Sequence, residues 1–281
     1  MNTRSLTLDP TPEPLGNVRD SGHGTARLAG MALLVALAGF GFLVPLLWQG
    51  DIARQDYNAI LSPFSGAHPL GTDHLGRDML ARLAAAVRLS LGLALVSVAS
   101  AAVPGVLLGL LAAWRGGLTD KCLGLLTEMF LALPGLLLVL LVVAIYPGSF
   151  LALYGAVALV LWIEYFRMTR ALARTVLASQ AVTASRLLGF GPLYIFQRHL
   201  WPQLAPVITT LAAFGAASAI MAIAALGFVS VGVRPPTAEL GLMITELLPY
   251  FAEAPQALAL PIAVIFLIVL SLLLIAGRQK P

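Results

Sequence analysis

Long apolar runs alternate with short polar ones along most of the chain. Apolar stretches fall at residues 28–48, 89–114, 122–145, 150–168, 207–231 and 257–276. Each is about 20 residues or more, the length an α-helix needs to cross a hydrocarbon core ~30 Å thick. Alternation at period two over short segments, the mark of a membrane β-barrel, is absent. The pattern predicts an all-α membrane protein with six transmembrane helices. Pro104-Gly105 falls inside the second run, which is tolerable in lipid because neighbouring helices satisfy the freed backbone groups. The run at 207–231 is rich in Ala and Gly, which suits close helix packing.

The polar intervals carry their own signals. Residues 1–27 hold Pro10, Pro12, Pro14 and several glycines and predict a disordered tail. The run that follows is too long for a signal-peptide core and lacks a small-residue cleavage pattern. Residues 49–86 predict an extramembrane segment. Within it Met79, Leu80, Leu83 and Val87 give residues 77–88 one apolar helical face, lying at the interface or against the bundle. Residues 234–255, with Glu239, Glu246 and Glu253, also lie outside the membrane. The stretch 177–206 is the least lipid-like part of the second half, yet two apolar runs flank it. Good helix formers at 181–188 end at Gly189, a helix stop. Gly191-Pro192 turns the chain, residues 193–200 predict a second short helix, and Pro202 and Pro206 open the next run. The result is a polar helix–glycine–helix hairpin held between two spans, with a basic character from Arg186, Arg198 and His199. Such a surface is suited to docking.

Composition strengthens the membrane reading: 59% of residues are hydrophobic and 11% charged, against roughly 25% charged in soluble domains. The single cysteine, Cys122, excludes an intramolecular disulfide framework and reads as buried packing; Met221 and Met243 read as packing too. The net charge of +4 bears on orientation and not on nucleic acid. Twelve of the 17 Lys and Arg residues (Arg4, Arg19, Arg27, Arg115, Lys121, Arg167, Arg170, Arg174, Arg186, Arg198, Arg278, Lys280) fall on one side of the predicted spans. Five (Arg54, Arg77, Arg82, Arg88, Arg234) fall on the other. The richer side is cytoplasmic, which puts both termini and the hairpin inside.

Candidate chemistry is sparse. A phosphate loop needs Gly-Lys-Ser/Thr, and the two lysines follow Asp120 and Gln279. Glu128, Glu164 and Arg167 lie in or beside apolar runs, where a charge costs roughly 2.5–3.5 kcal/mol. They read as an interfacial ion pair near the cytoplasmic ends of the third and fourth spans, with a proton or substrate pathway as the alternative. His68 and His74 with Asp73 and Asp78 suit a metal by donor type, but the carboxylates read better as turn and helix caps, and no metal or other cofactor is expected. Arg198 either caps the second short helix or pairs across an interface.

Three motifs carry a family resemblance. The hairpin resembles the cytoplasmic Glu-Ala-Ala loop of bacterial ABC importer permeases: it reads Thr183-Ala184-Ser185, then Gly189, then His199-Leu200-Trp201-Pro202. The Gly and Pro match in spacing; Thr183 replaces the Glu and Ser185 the second Ala. Upstream, Gly71-Thr72-Asp73-His74-Leu75-Gly76-Arg77-Asp78, followed by Arg88-Leu89-Ser90, is similar to a signature of the dipeptide/oligopeptide/nickel branch. Gly232-Val233, Pro235-Pro236-Thr237 and Gly241 give the third match. Around Thr72–Leu75, Ala184–Leu187 and Pro236–Glu239 the chain looks rather like the nickel-type permeases.

The resemblance implies a type I importer transmembrane domain over residues 87–276, with a cytoplasmic coupling helix within 177–206. It implies a non-enzymatic permease subunit of the bacterial inner membrane that forms the pathway for di/oligopeptides, nickel or a nickel chelate. The implied partners are a homologous second permease, two cytoplasmic ATPase subunits, an extracytoplasmic substrate-binding protein and membrane lipid. ATPase coupling would fall to Thr183, Ala184, Ser185, Arg186, Leu187, Leu188, Gly189, Arg198 and Pro202. The family's polar, acidic C-terminal tail is expected to be short here. A proton-coupled secondary transporter would need inverted repeats and midplane charges. A membrane enzyme would need converging catalytic groups, and His23, His68, His74 and His199 are scattered.

Overall fold

The computed structural model describes residues 21–48, 50–229 and 231–277. The expected N-terminal tail lies mostly outside the described residues, as does most of the C-terminal one. Among the described residues ten α-helices follow in order: α1 Ser21–Leu47, α2 Met79–Arg115, α3 Gly117–Leu131, α4 Gly135–Ile145, α5 Phe150–Leu177, α6 Gln180–Leu187, α7 Pro192–Ile195, α8 Trp201–Phe228, α9 Leu240–Leu247 and α10 Pro255–Ala276. Among the described residues the only β pairing is an isolated bridge between Thr72 and Asp78. Five helical stretches of the described residues are long and apolar enough to cross a membrane, and the α3–α4 pair makes a sixth if counted as one broken span. The all-α reading with five to six spans stands.

Several boundaries differ from the sequence reading. The expected interfacial helix at 77–88 and the second span are one 37-residue helix, α2. Its first turns are buried: Met79, Leu83, Ala84, Ala86 and Val87 are at most 1% exposed, so this end packs into the bundle. The third span is not straight; α3 and α4 meet at 80°, because Pro134 starts α4 and cannot continue the hydrogen-bond ladder of α3. The second short helix does not end before the fifth span. α7 leads through a π turn, Phe196–Leu200, into α8. That turn ends two residues before Pro202, whose ring and missing N–H disturb the i→i−4 register. The first helix also starts earlier than expected, at Ser21.

The core is organised around α2 and α5, which lie closely packed and parallel. A Cβ on Gly105 would stand 2.6 Å from the Trp162 carbonyl oxygen, and one on Gly109 would stand 2.8 Å from that of Phe166. Only glycine allows this approach, the small-xxx-small device of membrane helices. α1 seals one flank against α10, with Gly30 on Ser271 and Leu274. The parallel pair fixes the ends of the molecule. Loop 50–78 sits at the N-terminal end of α2, and the α6–α7 hairpin at the opposite end.

Two packing expectations fail. Cys122 is exposed on α3, and Met221 is 51% exposed, whereas Met243 is buried. An outward-facing side chain on a membrane helix is as apolar as a buried one, so hydropathy alone does not separate them.

Candidate functional site

The hairpin 177–206 has a defined geometry. α5 continues past the apolar run to Leu177. Ser179 then N-caps α6, its Oγ accepting the Val182 N–H at 3.4 Å. The stop at Gly189 is a Schellman motif. The Phe190 N–H donates to the Ser185 carbonyl and the Gly189 N–H to the Arg186 carbonyl. Gly189 itself sits at φ +83°, a conformation glycine adopts without Cβ strain.

A small second core holds the hairpin to the spans. Val182, Ile195, Leu200 and Leu204 pack with Ala173 and Val176 of α5. Ser185, on the inward face with Val182, contacts His199 Nε2 at 2.9 Å through its Oγ, which also donates to the Ala181 carbonyl. Phe190 stacks on Tyr194, centroids 4.2 Å apart. The outward face is apolar: Leu187, Leu188 and Leu193 are 85%, 77% and 68% exposed.

The expected coupling residues therefore divide. Ala184, Arg186, Leu187, Leu188 and Gly189 are exposed, and Thr183 is exposed with its hydroxyl bonded to the Ser179 carbonyl. Ser185 is inward and bonded to His199. Pro202 is exposed in the first turn of α8. Arg198 is exposed within the continuous helix, so it has no helix C-terminus to cap and that reading falls. Sequence reading missed His199 as the tie to α6. The signal was the spacing of Val182 and Ser185, which places both on one helix face.

The opposite end holds a buried ionic cluster. The Asp73 carboxylate accepts from the Leu75 and Arg77 backbone N–H groups at 2.9 Å each, and Asp78 N-caps α2 through the Ala81 N–H at 2.9 Å. Both carboxylates are caps, as expected. Asp73 also receives Arg77 Nε at 2.6 Å and lies 3.2 Å from Arg82 Nε. Glu246, between the last two spans, receives Arg77 Nη2 at 2.9 Å and Arg82 Nη2 at 2.7 Å. Both arginines are no more than 2% exposed. His68 Nδ1 lies 2.9 Å from Asp78. His74 stacks on Tyr250, and burial lowers its pKa against the pull of Asp73.

Asp73, His74 and Glu246 bring their donor atoms within 4.8 Å of one another. The set does not fit a metal. Two guanidinium groups already balance the two carboxylates, and a dication there would leave a buried net charge.

At the hairpin end, Asp120 of α3 bonds Arg170 at 2.8 Å and also pairs with Arg174. This replaces the ion pair expected among Glu128, Glu164 and Arg167. All three are exposed, and among the described residues they form no salt bridge with one another. Asp120 lies one polar turn before the third apolar run, and the 80° break brings α3 alongside α2, within reach of α5.

Residues 105–279 match the family described as binding-protein-dependent transport system inner membrane component. The chain is 35% identical to the di/tripeptide transport system permease protein DppC of Pseudomonas aeruginosa, over 93% of this chain and 88% of that one. It is 33% identical to the dipeptide permease DppC of Haemophilus influenzae, covering 87% and 85%. It is 33% identical to the nickel transport system permease protein NikC of Escherichia coli, covering 79% of each. With its multiple apolar spans, its helical hairpin between two of them and this similarity, the chain belongs to the inner-membrane permease subunits of the binding-protein-dependent ABC importers, in the dipeptide/nickel branch.

Proposed function

We propose that this permease forms one half of the pathway for a di- or oligopeptide, or for nickel or a nickel chelate, and that α6 is its coupling helix. The pathway would be completed by a homologous second permease, powered by two cytoplasmic ATPase subunits and loaded by an extracytoplasmic binding protein. The chain lacks a phosphate loop, so hydrolysis falls to the separate ATPases. Both termini and the hairpin face the cytoplasm, as the Lys and Arg asymmetry argues.

The observation that carries the coupling reading is the exposed apolar tip of the hairpin, Leu187, Leu188 and Leu193, on a polar segment between two spans. A solvent-facing tip of this kind is a docking knob. The α6 helix is joined to α5 through the Ser179 cap and to α8 through His199 and the small core. Displacement of α6 by an ATPase therefore moves both helices together, and alternating access follows as a rigid-body motion.

Gly189→Val tests this. A β-branched residue at φ +83° is strained on the order of 1 kcal/mol or more, although the space around Gly189 is open. The helix after the turn is redirected while the spans keep their packing. The expected result is normal membrane level, with ATPase co-purification from detergent and substrate-stimulated hydrolysis in liposomes both reduced. Leu91→Val in α2 serves as the comparison. Full retention of both properties in Gly189→Val removes the hairpin from the coupling role.

A further inference from the structure

The inner half of α5 carries a polar face that no helix of the described chain covers. Glu164, Arg167, Met168, Ala171, Arg174 and Thr175 are all exposed. Their spacing puts them on one stripe about 120° wide. The outer half of α5 is buried at Leu153, Val157 and Leu161, and α4 packs against it with Gly135 beside Val160. The break at Pro134 makes the difference. α3 turns away at 80° and meets α5 through the Phe130–Trp162 edge contact and the Asp120 ion pairs.

Most of this stripe, with Arg170 and with Leu211 of α8, walls a groove of about 560 Å³. At ~1.5 Å per residue, Glu164 lies about 21 Å along α5 and Arg174 about 36 Å. In a core ~30 Å thick the stripe covers the last third of the hydrocarbon region and its boundary. Charged side chains at that depth face a bundle interior or water, not lipid. The groove wall carries three guanidinium groups and one carboxylate. Asp120, 7% exposed, lies behind Arg170 and Arg174 and fixes both. Glu128 is within electrostatic reach of Arg170 but is not on the wall. Among the described residues Arg167 forms no ion pair, so its charge is free to meet a solute.

Resting on the importer reading above, we infer that this stripe lines the cytoplasmic half of the passage and favours solutes bearing a carboxylate over a bare divalent cation. A carboxylate, whether a peptide terminus or part of a chelator, meets guanidinium groups on leaving. With Glu164 and Asp120 counted, the wall keeps one net positive charge, centred on Arg167, and a bare dication meets that charge as repulsion.

The test uses the assembled complex in inverted membrane vesicles, with exposed Cys122 changed to Ser. Single substitutions Met168→Cys and Ala171→Cys probe the stripe, and Val35→Cys on the outward face of α1, where Val35 is 70% exposed, is the lipid-facing control. Each is treated with sulfonatoethyl and with trimethylammonioethyl methanethiosulfonate, with rates normalised to free 2-mercaptoethanol. Both stripe positions should react and the control should not. The normalised rate should favour the anionic reagent by roughly tenfold, the low end for a focused field, and adding Arg167→Gln should shrink that preference. Silence at both positions overturns the inference, as does reactivity that appears only without the second permease, since a partner then covers the face. A preference for the cationic reagent overturns the charge assignment. ATP dependence of uptake in the Cys122→Ser parent is read separately, so loss of the importer reading and loss of this inference have different signatures.

Discussion

Glu246 is the single carboxylate that reaches both Arg77 Nη2 and Arg82 Nη2. Those guanidinium groups are almost wholly buried, and without Glu246 only Asp73 is left to balance both charges away from water. Removing one partner of a buried ionic set costs roughly 3–5 kcal/mol. Glu246→Gln is therefore expected to lower the thermal unfolding midpoint of the purified protein in detergent. Glu253→Gln, at an exposed position, should leave it unchanged. Equal midpoints for the two variants would show that the cluster does not tie loop 50–78 to α9. Glu239, at the cap of the same helix, is a fully buried carboxylate, 1% exposed. It caps α9 by accepting the Gly241 and Leu242 N–H groups at 3.0 and 2.8 Å, and burial raises its pKa against those bonds.

At the level of elements, the contact between α2 and α5 carries the fold. Gly105 and Gly109 let the two backbones close to a distance at which a Cβ collides with main-chain atoms. Overpacking a tight contact costs typically 1–3 kcal/mol, and more where backbone must move. Gly109→Leu should reduce membrane levels and thermal stability. Gly92→Leu on the same helix has open space around it and should be close to neutral. If the two behave alike, the close approach is not what holds the pair. The hairpin depends on the same pair indirectly, since its small core rests on Ala173 and Val176 at the end of α5.

For the molecule as a whole, the charge asymmetry predicts that loop 50–78 and the α4–α5 turn face outward and the hairpin inward. Asp56→Cys and Ser149→Cys should react with an impermeant thiol reagent in intact cells, and Thr183→Cys only in inverted vesicles; the reverse pattern would invert the orientation. The apolar runs determined the fold class and, to within the broken third run, the number of spans, because spanning length and backbone satisfaction leave a membrane chain few alternatives. Gly189 determined its own turn, because a positive φ is a local demand that one residue meets alone. Asp73 and Asp78 were legible as caps for the same reason: their partners lie two to four residues away. Glu246 on Arg77 and Arg82, Asp120 on Arg170 and Arg174, and Ser185 on His199 were not legible. Their partners lie from 14 to 169 residues apart, and no periodicity encodes such pairs. The outward placement of Cys122 and the uncovered face of α5 belong to the same class. Hydropathy states that a residue tolerates lipid or burial, and only the 80° break at Pro134 and the packing of α2 on α5 decide which side chains are covered.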